Sequence, residues 1–402
     1  MKKNATGTSS AQAAASVSRD TLMQLLRDSL RTVAEQMLTE EVDALCGESH
    51  RPPIGSLYRR AGSEKGTCYA EGQRQTIQRP RVRRKVEDGT EREHLLASYA
   101  AMREPGNNAA AVVKALSGGM STRSQAWAKD GVMSKTAASR HWVQATAAKI
   151  GELRERDLRG KTFFAVMLDG VVISRGAMVV IALGLTTTGE KLVLDFEVGA
   201  SENAPVCKAL VTRLQRRGFG PADGHRLFAV LDGSEALDVA VRAAWPDACI
   251  QRCLIHKERN LYGYLRKGDH AEAARLWKRL RQAQGEVAGR EALDAIRTFL
   301  RPLNAAAMAS LEEAGDTLIA LHELDVPATL NVSLLSTNPI ENVIRNYRRH
   351  TNKVTRWRIE TNQISRWTAT ALLQAETGFR RIKGHTELPR LLAALAKPRP
   401  TK

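Results

Sequence analysis

No two of the five cysteines, Cys46, Cys68, Cys207, Cys249 and Cys253, are spaced as C-x-x-C, and their number is odd. That argues against a disulfide framework and against a structural zinc site of standard spacing. A reduced, cytoplasmic setting is the expectation. No run of 18 apolar residues occurs, so no membrane-spanning helix is expected. Met1 to Val17 is small and polar and lacks the apolar stretch of a signal peptide, so secretion is not expected. Acid is scarce where base is dense. Arg74 to Lys85 holds six Arg/Lys and no acid, and Ser336 to Lys402 holds fourteen against four.

What is present is positive charge. The chain has 402 residues, room for two to four domains, and a formal net charge of +18. Such an excess, clustered rather than mixed with acid, points to a polyanion as partner. A solvated, solubilising surface is the bland alternative.

The pattern divides the chain into six stretches. Residues 1–18 are rich in Ala, Ser and Thr and read as a disordered tail. Residues 19–92 read as an N-terminal helix and a basic, DNA-binding arm. Leu22, Leu25, Leu26, Leu30, Val33, Met37 and Leu38 recur at helical spacing, and Cys46-Gly47 is a plausible helix end. Arg51 to Gly72 holds Gly and Pro breakers and reads as loop. Thr76-Ile77-Gln78 and Arg81-Val82-Arg83, interrupted by Pro80, suggest a short hairpin. Arg79, Arg81, Arg83, Arg84 and Lys85 are its candidate phosphate contacts.

Residues 93–155 read as helical. Gly119 to Arg123 and Ser134 to Trp142 would form a helix-turn-helix through Asp130-Gly131, with Ser121, Arg123, Lys135 and Arg140 toward DNA. An ordinary helical hairpin is the competing reading.

From Lys161 the period becomes that of strands. Phe163–Leu168, Met178–Leu185, Leu192–Phe196, Leu227–Leu231 and Ala248–Cys253 are strand runs. Helices over Pro205–Arg217 and Ser234–Ala244 separate the later ones. The order β-β-β-α-β-α-β is that of a ribonuclease H-like α/β core. Its first part spans 156–260, and an all-α insertion spans 261–335. Residues 336–402 resume the core with a helix near Pro339, which Asn338 or Thr337 can cap, followed by a basic helical tail over Arg356–Arg381.

Asp169 follows a six-residue apolar run and Asp232 a five-residue one, and each precedes Gly. Asp-Gly is ordinarily a turn, but two strand ends side by side at the carboxyl edge of a sheet are where α/β folds gather functional groups. Glu341 opens a helix on which Arg345, Arg348 and Arg349 share its face. Lys353, Arg356 and Arg259 extend the basic set. Hard carboxylate oxygens select Mg²⁺, with Mn²⁺ able to substitute. Two such ions can activate a nucleophile and stabilise the leaving oxygen of a phosphodiester. Cys249 reads as core packing. Trp357, flanked by Arg356 and Arg358, is the tryptophan best placed to stack on a base.

From about Leu38 to Trp367 the chain resembles the Mutator-type bacterial transposases. The resemblance rests on Leu38-Thr39-Glu40-Glu41-Val42-Asp43-Ala44-Leu45, Gly119 to Arg123, Arg216-Arg217-Gly218-Phe219 and Gln251-Arg252-Cys253. It also rests on Cys253-x-x-His256 followed by Arg259-Asn260. It implies that Asp169, Asp232 and Glu341 are the catalytic, metal-binding triad. His256 is the fourth candidate catalytic residue, with a structural or DNA-positioning role near the triad as the expectation and proton shuttling as the alternative, since an ordinary imidazole titrates at about 6.5. The resemblance further implies an all-α insertion before Glu341, terminal inverted repeats and target DNA as partners, and a homodimer or larger assembly on DNA. The first 37 residues carry no signal of that family, and the helix before Arg217 lacks an expected tryptophan near Val206. Two alternatives stay open: a DNA-binding regulator descended from a transposase, and a nuclease acting on RNA/DNA hybrids.

Overall fold

A computed structural model describes residues 9–49, 53, 55–70, 73–87, 89–103, 113–116, 135–352 and 354–396. The chain divides into two compact units, Met1–Ala145 and Thr146–Lys402.

The first unit opens with a helix, α1 (Ser9–Cys46). Residues 9–18, expected to be disordered, are therefore helical, in keeping with an Ala-rich run free of Gly and Pro. Leu38, Val42 and Cys46, one turn apart, are buried and join Cys68, Ile77, Val82, Leu96 and Tyr99 in a small core. The rest of that core comes from an antiparallel sheet of β1 (Tyr58–Ala70), β2 (Gln73–Lys85) and β3 (Glu91–His94). The loop expected over Arg51–Gly72 is largely β1. This strand has almost no apolar alternation of its own, and its ladder to β2, from Tyr58↔Arg84 to Ala70↔Gln73, holds it extended. Pro80 does not break β2. It lies opposite Ser63 at the register shift between Arg60 and Ser63, where a missing N–H is tolerated. A short helix, α2 (Ala97–Arg103), follows. The expected helix-turn-helix falls mostly outside the described residues, Ser121, Arg123 and Ser134 included. Its second helix corresponds to α3 (Lys135–Arg154), on which Arg140 is exposed.

The second unit is a mixed α/β layer structure. Its sheet has the order β6-β5-β4-β7-β8. The strands are β4 (Phe163–Ser174), β5 (Ala177–Thr186), β6 (Lys191–Gly199), β7 (Phe228–Leu231) and β8 (Cys249–Arg252). The first three are mutually antiparallel, and β7 and β8 run parallel to β4. Both faces are buried, which is why these strands read as continuous apolar runs. Phe163, Val166, Leu168, Ala229 and Leu231 point to one face, where α4 (Ala204–Arg216) and α5 (Glu235–Ala244) supply Leu210, Leu214, Leu237 and Val241. Phe164, Met167, Val171, Phe228 and Val230 point to the other face and join a larger core.

That larger core is built from helices. Immediately after β8 come α6 (Leu254–Tyr262), α7 (His270–Gln282), α8 (Gly285–Leu300) and α9 (Ala305–Ala314), then 3-10 turns and a single helical turn over Asn331–Leu334. No strand interrupts residues 261–335, as the Ala/Leu/Arg composition predicts. Next comes α10 (Asn338–Thr351), with Pro339 in its first turn, then α11 (Gln363–Glu376) and α12 (Leu388–Leu395). The tail helix expected over Arg356–Arg381 is shorter at both ends. Residues 354–362 are non-helical, and Gln363 turns back to bond the Arg358 N–H and the Arg356 carbonyl. Among the described residues no helix is long and apolar enough to cross a membrane, and the five cysteines are free.

Candidate active site

Asp169 does not end its strand. It sits in the middle of β4, paired with Ile181 of β5, and the strand runs on to Ser174. What ends at this level is the parallel neighbour. Leu168 pairs with Leu231, the last residue of β7, so Asp232 emerges beside Asp169. Adjacent strands lie about 4.8 Å apart. An apolar run followed by Asp-Gly therefore located both residues without distinguishing a strand that stops from one that continues.

Glu341 reaches the same place from α10. Asp169, Gly170, His256, Arg259, Glu341, Ile344, Arg345, Arg348, Arg349 and Asn352 line one cleft of about 540 Å³. Asp232 does not line it. Its Oδ1 accepts the Ser234 N–H at 3.0 Å, which turns it toward its own loop. Gly233 makes that loop possible. It has φ of 112°, and an added Cβ would lie 1.8 Å from the Arg252 guanidinium carbon.

The electrostatics are those of crowded carboxylates. Asp169 is 8% exposed. Burial, and then repulsion from Asp232, push its pKa up to about 7, against the pull of His256. Burial alone does not mark the site. Asp195 is fully buried, yet Arg213 Nε and Arg217 Nη1 hold one of its oxygens at 2.7 and 2.9 Å. That aspartate belongs to the framework. Arg217 also donates to the carbonyls of Arg156, Leu194 and Leu153.

A second layer surrounds Glu341. His256 Nε2 lies 3.5 Å from Glu341 Oε1, and His256 Nδ1 lies 3.3 Å from Thr337 Oγ1. Thr337 Oγ1 also stands 3.2 Å from Glu341 Oε1 and 3.3 Å from Cys253 Sγ. One hydroxyl carries one proton, so Thr337 serves either the carboxylate or the sulfur while accepting from the imidazole. Hydrogen bonding to Cys253, with help from the Asp169 and Glu341 charges and against burial, raises His256 to about 9. Cys253 is buried, which raises its pKa, but the bonds from His256 and Thr337 outweigh that and lower it. The C-x-x-H element is thus a hydrogen-bonded brace: Cys253 caps α6 and His256 faces the cleft. Thr337 stands at the N-cap of α10 without capping it, because its hydroxyl is used here. Gln251 ties the helical region after α9 to β8 through Leu318 O and Leu321 N, each at 2.9 Å.

The cations around the cleft are uncommitted. Among the described residues Arg259, Arg345, Arg348 and Arg349, which line it, form no ion pair and are exposed; Arg356 is also exposed without an ion pair but does not line it. Lys353 lies outside the described residues. Trp357 packs half-buried against the core, its ring 6.5 Å from that of Trp367, rather than standing free to stack on a base. In the first unit the picture is opposite. Arg79 pairs with Glu64 and Glu93, Arg81 with Glu93 at 2.9 Å, and Arg83 with Glu91 at 3.7 Å. Arg84 lies over the Tyr58 ring.

Sequence reasoning missed Glu202. Its Oε2 would lie 2.2 Å from a Cβ at Gly170, so the carboxylate lies against the backbone next to Asp169. Burial raises its pKa, and the charge of Asp232 adds to this against a bond with Ser234. It lies in the β6–α4 loop, without an apolar run before it, and only the path of the chain brings it here.

A divalent cation was expected at this site. Among the described residues no three His, Cys, Asp or Glu side chains already converge on one point. The donor chemistry nonetheless fits, since the crowded groups are carboxylate oxygens whose mutual repulsion a hard cation relieves.

Comparison with known proteins agrees. The family described as "Transposase, Mutator family" matches residues 1–377, including the first 37 residues, which show no family motif on their own. The transposase for insertion sequence element IS905 of Lactococcus lactis subsp. lactis (strain IL1403) is 30% identical over 216 residues, 52% of this chain and 53% of that protein. The transposase for insertion sequence element IS1201 of Lactobacillus helveticus is 26% identical over 351 residues, 81% of this chain and 89% of that protein. The transposase for insertion sequence element IST2 of Acidithiobacillus ferrooxidans is 27% identical over 173 residues, 43% of this chain and 57% of that protein. The chain thus spans about half the length of the first and third of these relatives and most of the second. The cleft's carboxylates and free arginines, its Cys253–His256 brace and the match along nearly the whole chain lead to one conclusion: the chain belongs to the Mutator family of transposases.

Proposed function

We propose that the protein is an insertion-sequence transposase that binds the terminal inverted repeats of its element, cuts the DNA strands there and joins them to target DNA. The unit Thr146–Lys402 is read as a ribonuclease H-like core carrying an all-α insertion. The observation that carries the reading is the joining of Asp169 and Glu341 in one cleft, with Asp232 on the next strand and unpaired arginines along the rim.

Asp169, Asp232 and Glu341 would hold Mg²⁺ or Mn²⁺. When bound, such ions supply a deprotonated nucleophile and charge stabilisation for the leaving oxygen. The rest is the work of the protein. Arg345, Arg348 and Arg349 neutralise phosphates of the strand across α10 without reading bases. His256 and Thr337 hold Glu341 in place. Burial of Asp169 keeps water away from one side of the site and makes its deprotonation depend on the company of a cation. The helical part of residues 93–155 is read as the end-recognition element, and assembly on paired ends as a homodimer or larger.

The test is incubation of the full chain with Mg²⁺ and DNA carrying the repeats that flank its own gene. Strand breaks at the repeat ends, absent without Mg²⁺ and absent in Asp232→Ala, are the expected result. Binding without breakage under all metal conditions would favour a DNA-binding regulator. Cleavage of RNA/DNA hybrids but not of duplex DNA would favour the nuclease reading.

A further inference from the structure

Helix α10 has a second groove on its other flank. Ile340, Val343, Ile344, Tyr347 and Thr351 form its buried seam. At about 100° per residue, Glu341, Arg345 and Arg348 fall on one side of that seam, toward the catalytic cleft. Asn342 and Asn346 fall on the opposite side. There, Lys191, Pro339, Asn342, Asn346, Phe379 and Arg380 line a cavity of about 280 Å³.

Its chemistry is that of an anion site. Two cations, two carboxamides and an aromatic ring line it, and no Asp or Glu does. Lys191, at the start of β6, is half-buried, and burial alone lowers its pKa. Its Nζ lies 5.4 Å from the Phe379 ring centroid. Among the described residues neither Lys191 nor Arg380 has an ion pair. Asn346 Nδ2 donates to Asn342 Oδ1 at 3.4 Å, which leaves the Asn342 amide N–H groups for another acceptor. Holding a partly desolvated ammonium with no counter-charge costs free energy that an incoming anion returns.

We propose that this groove takes phosphates of a second DNA strand, the complement of the strand lying over the catalytic cleft. The proposal rests on the transposase reading. A helix with its side chains is about 10–12 Å across, close to the roughly 12 Å width of a DNA major groove. A duplex that receives the exposed crest of α10 in its major groove meets the two flanking grooves with its two backbones. The catalytic cleft has the carboxylates and the second groove has none, so only one strand is cut.

The experiment measures binding of labelled duplex and of single-stranded DNA of equal length by fluorescence anisotropy, over a range of salt concentrations, with the full chain. In Lys191→Gln/Arg380→Gln the slope of log K against log salt falls by about 1–2 on duplex, given roughly 0.9 per phosphate contact, and stays unchanged on single strand. Lys191→Arg keeps the duplex slope, since charge and ring contact persist. Circular dichroism and thermal melting confirm that the variants fold. An unchanged duplex slope, beside a reduced one in Arg345→Ala/Arg348→Ala/Arg349→Ala, overturns the second-strand groove alone. Unchanged slopes in both variants overturn it together with the reading of α10 as a DNA-binding helix. An equal fall on duplex and single strand overturns the assignment to a second strand.

Discussion

Two regions of this chain each carry a cluster of arginines and differ in what stands opposite. In the β1–β3 sheet, Arg79, Arg81 and Arg83 alternate along β2, and Glu64, Glu91 and Glu93 of the neighbouring strands pair with them. Along α10, Arg345, Arg348 and Arg349 line a cleft with Asp169 and Glu341 and form no ion pair with either. A run of cations in a sequence thus measures charge, not available charge. A strand brings its neighbours' side chains within reach on both sides, whereas a helix one turn past its buried seam meets only solvent. In the basic run Arg79 to Lys85, free of acid in sequence, Arg79, Arg81 and Arg83 meet carboxylates in three dimensions, while Arg84 and Lys85 stay exposed without an ion pair among the described residues. The unpaired arginines Arg345, Arg348 and Arg349 of the cleft sit on the helix.

The comparison breaks first at the chemistry. Glu341→Ala is expected to slow strand cleavage at least roughly a thousandfold, several kcal/mol of transition-state stabilisation at about 1.4 kcal/mol per tenfold. It should leave DNA affinity unchanged or higher. Arg81→Ala should leave the cleavage rate within about twofold, because Arg81 is already paired with Glu93. A gel-based cleavage assay on end DNA compares them directly.

Next comes salt. Arg345→Ala/Arg348→Ala/Arg349→Ala should lower the slope of log K against log salt by roughly 2–3, and Arg79→Ala/Arg81→Ala/Arg83→Ala by less than about 1. Equal slopes in the two triple variants would erase the distinction between the regions.

A third effect sharpens the contrast between a carboxylate that is paired and one that is not. Asp169 has its pKa pushed up to about 7, above the roughly 3.9 of an unfolded aspartate. A raised carboxylate pKa costs stability as pH rises from about 4 to 7, because the unfolded chain ionises first. Metal-free Asp169→Asn should therefore match the parent in stability near pH 4 and exceed it above pH 7, by about 1–3 kcal/mol of unfolding free energy. Asp195→Asn should instead destabilise at neutral pH, since it removes the buried counter-charge that Arg213 and Arg217 share. Thermal melts at three pH values read both.

The smallest effect is in the sheet. Glu93→Gln removes the main partner of Arg81 and leaves Arg79 paired with Glu64, at little cost in stability, since exposed pairs contribute under about 1 kcal/mol. It is expected to raise the duplex salt slope by up to about 1. A lowered slope would mean that these arginines already hold DNA.

The core was legible in the sequence because its strands are buried on both faces and its helices carry a clear apolar seam. Phe163–Leu168, Leu227–Leu231 and the helix at Pro339 stood out for that reason. The strand β1 was not legible. It is polar, and its extension is imposed by β2 rather than by its own pattern. Asp169 and Asp232 were found from an apolar run followed by Asp-Gly, but β4 continues through Asp169, and only the pairing with β5 shows it. Glu341 carried a sequence signal in the arginines one and two turns on. Glu202 carried none, since a loop carboxylate has no periodicity to reveal where the chain returns. The pairing of Arg79, Arg81 and Arg83 depended on cross-strand register, which no local window contains.

The central claim is that Asp169, Asp232 and Glu341 hold a divalent cation at the carboxyl edge of β4 and β7. Binding of Mn²⁺ at pH 8, followed by electron paramagnetic resonance, tests it most directly. The account predicts that Asp169→Asn, Asp232→Asn and Glu341→Gln each weaken binding at least about tenfold, while Glu93→Gln binds as the parent does. Mn²⁺ binding unchanged in all three core variants would contradict it.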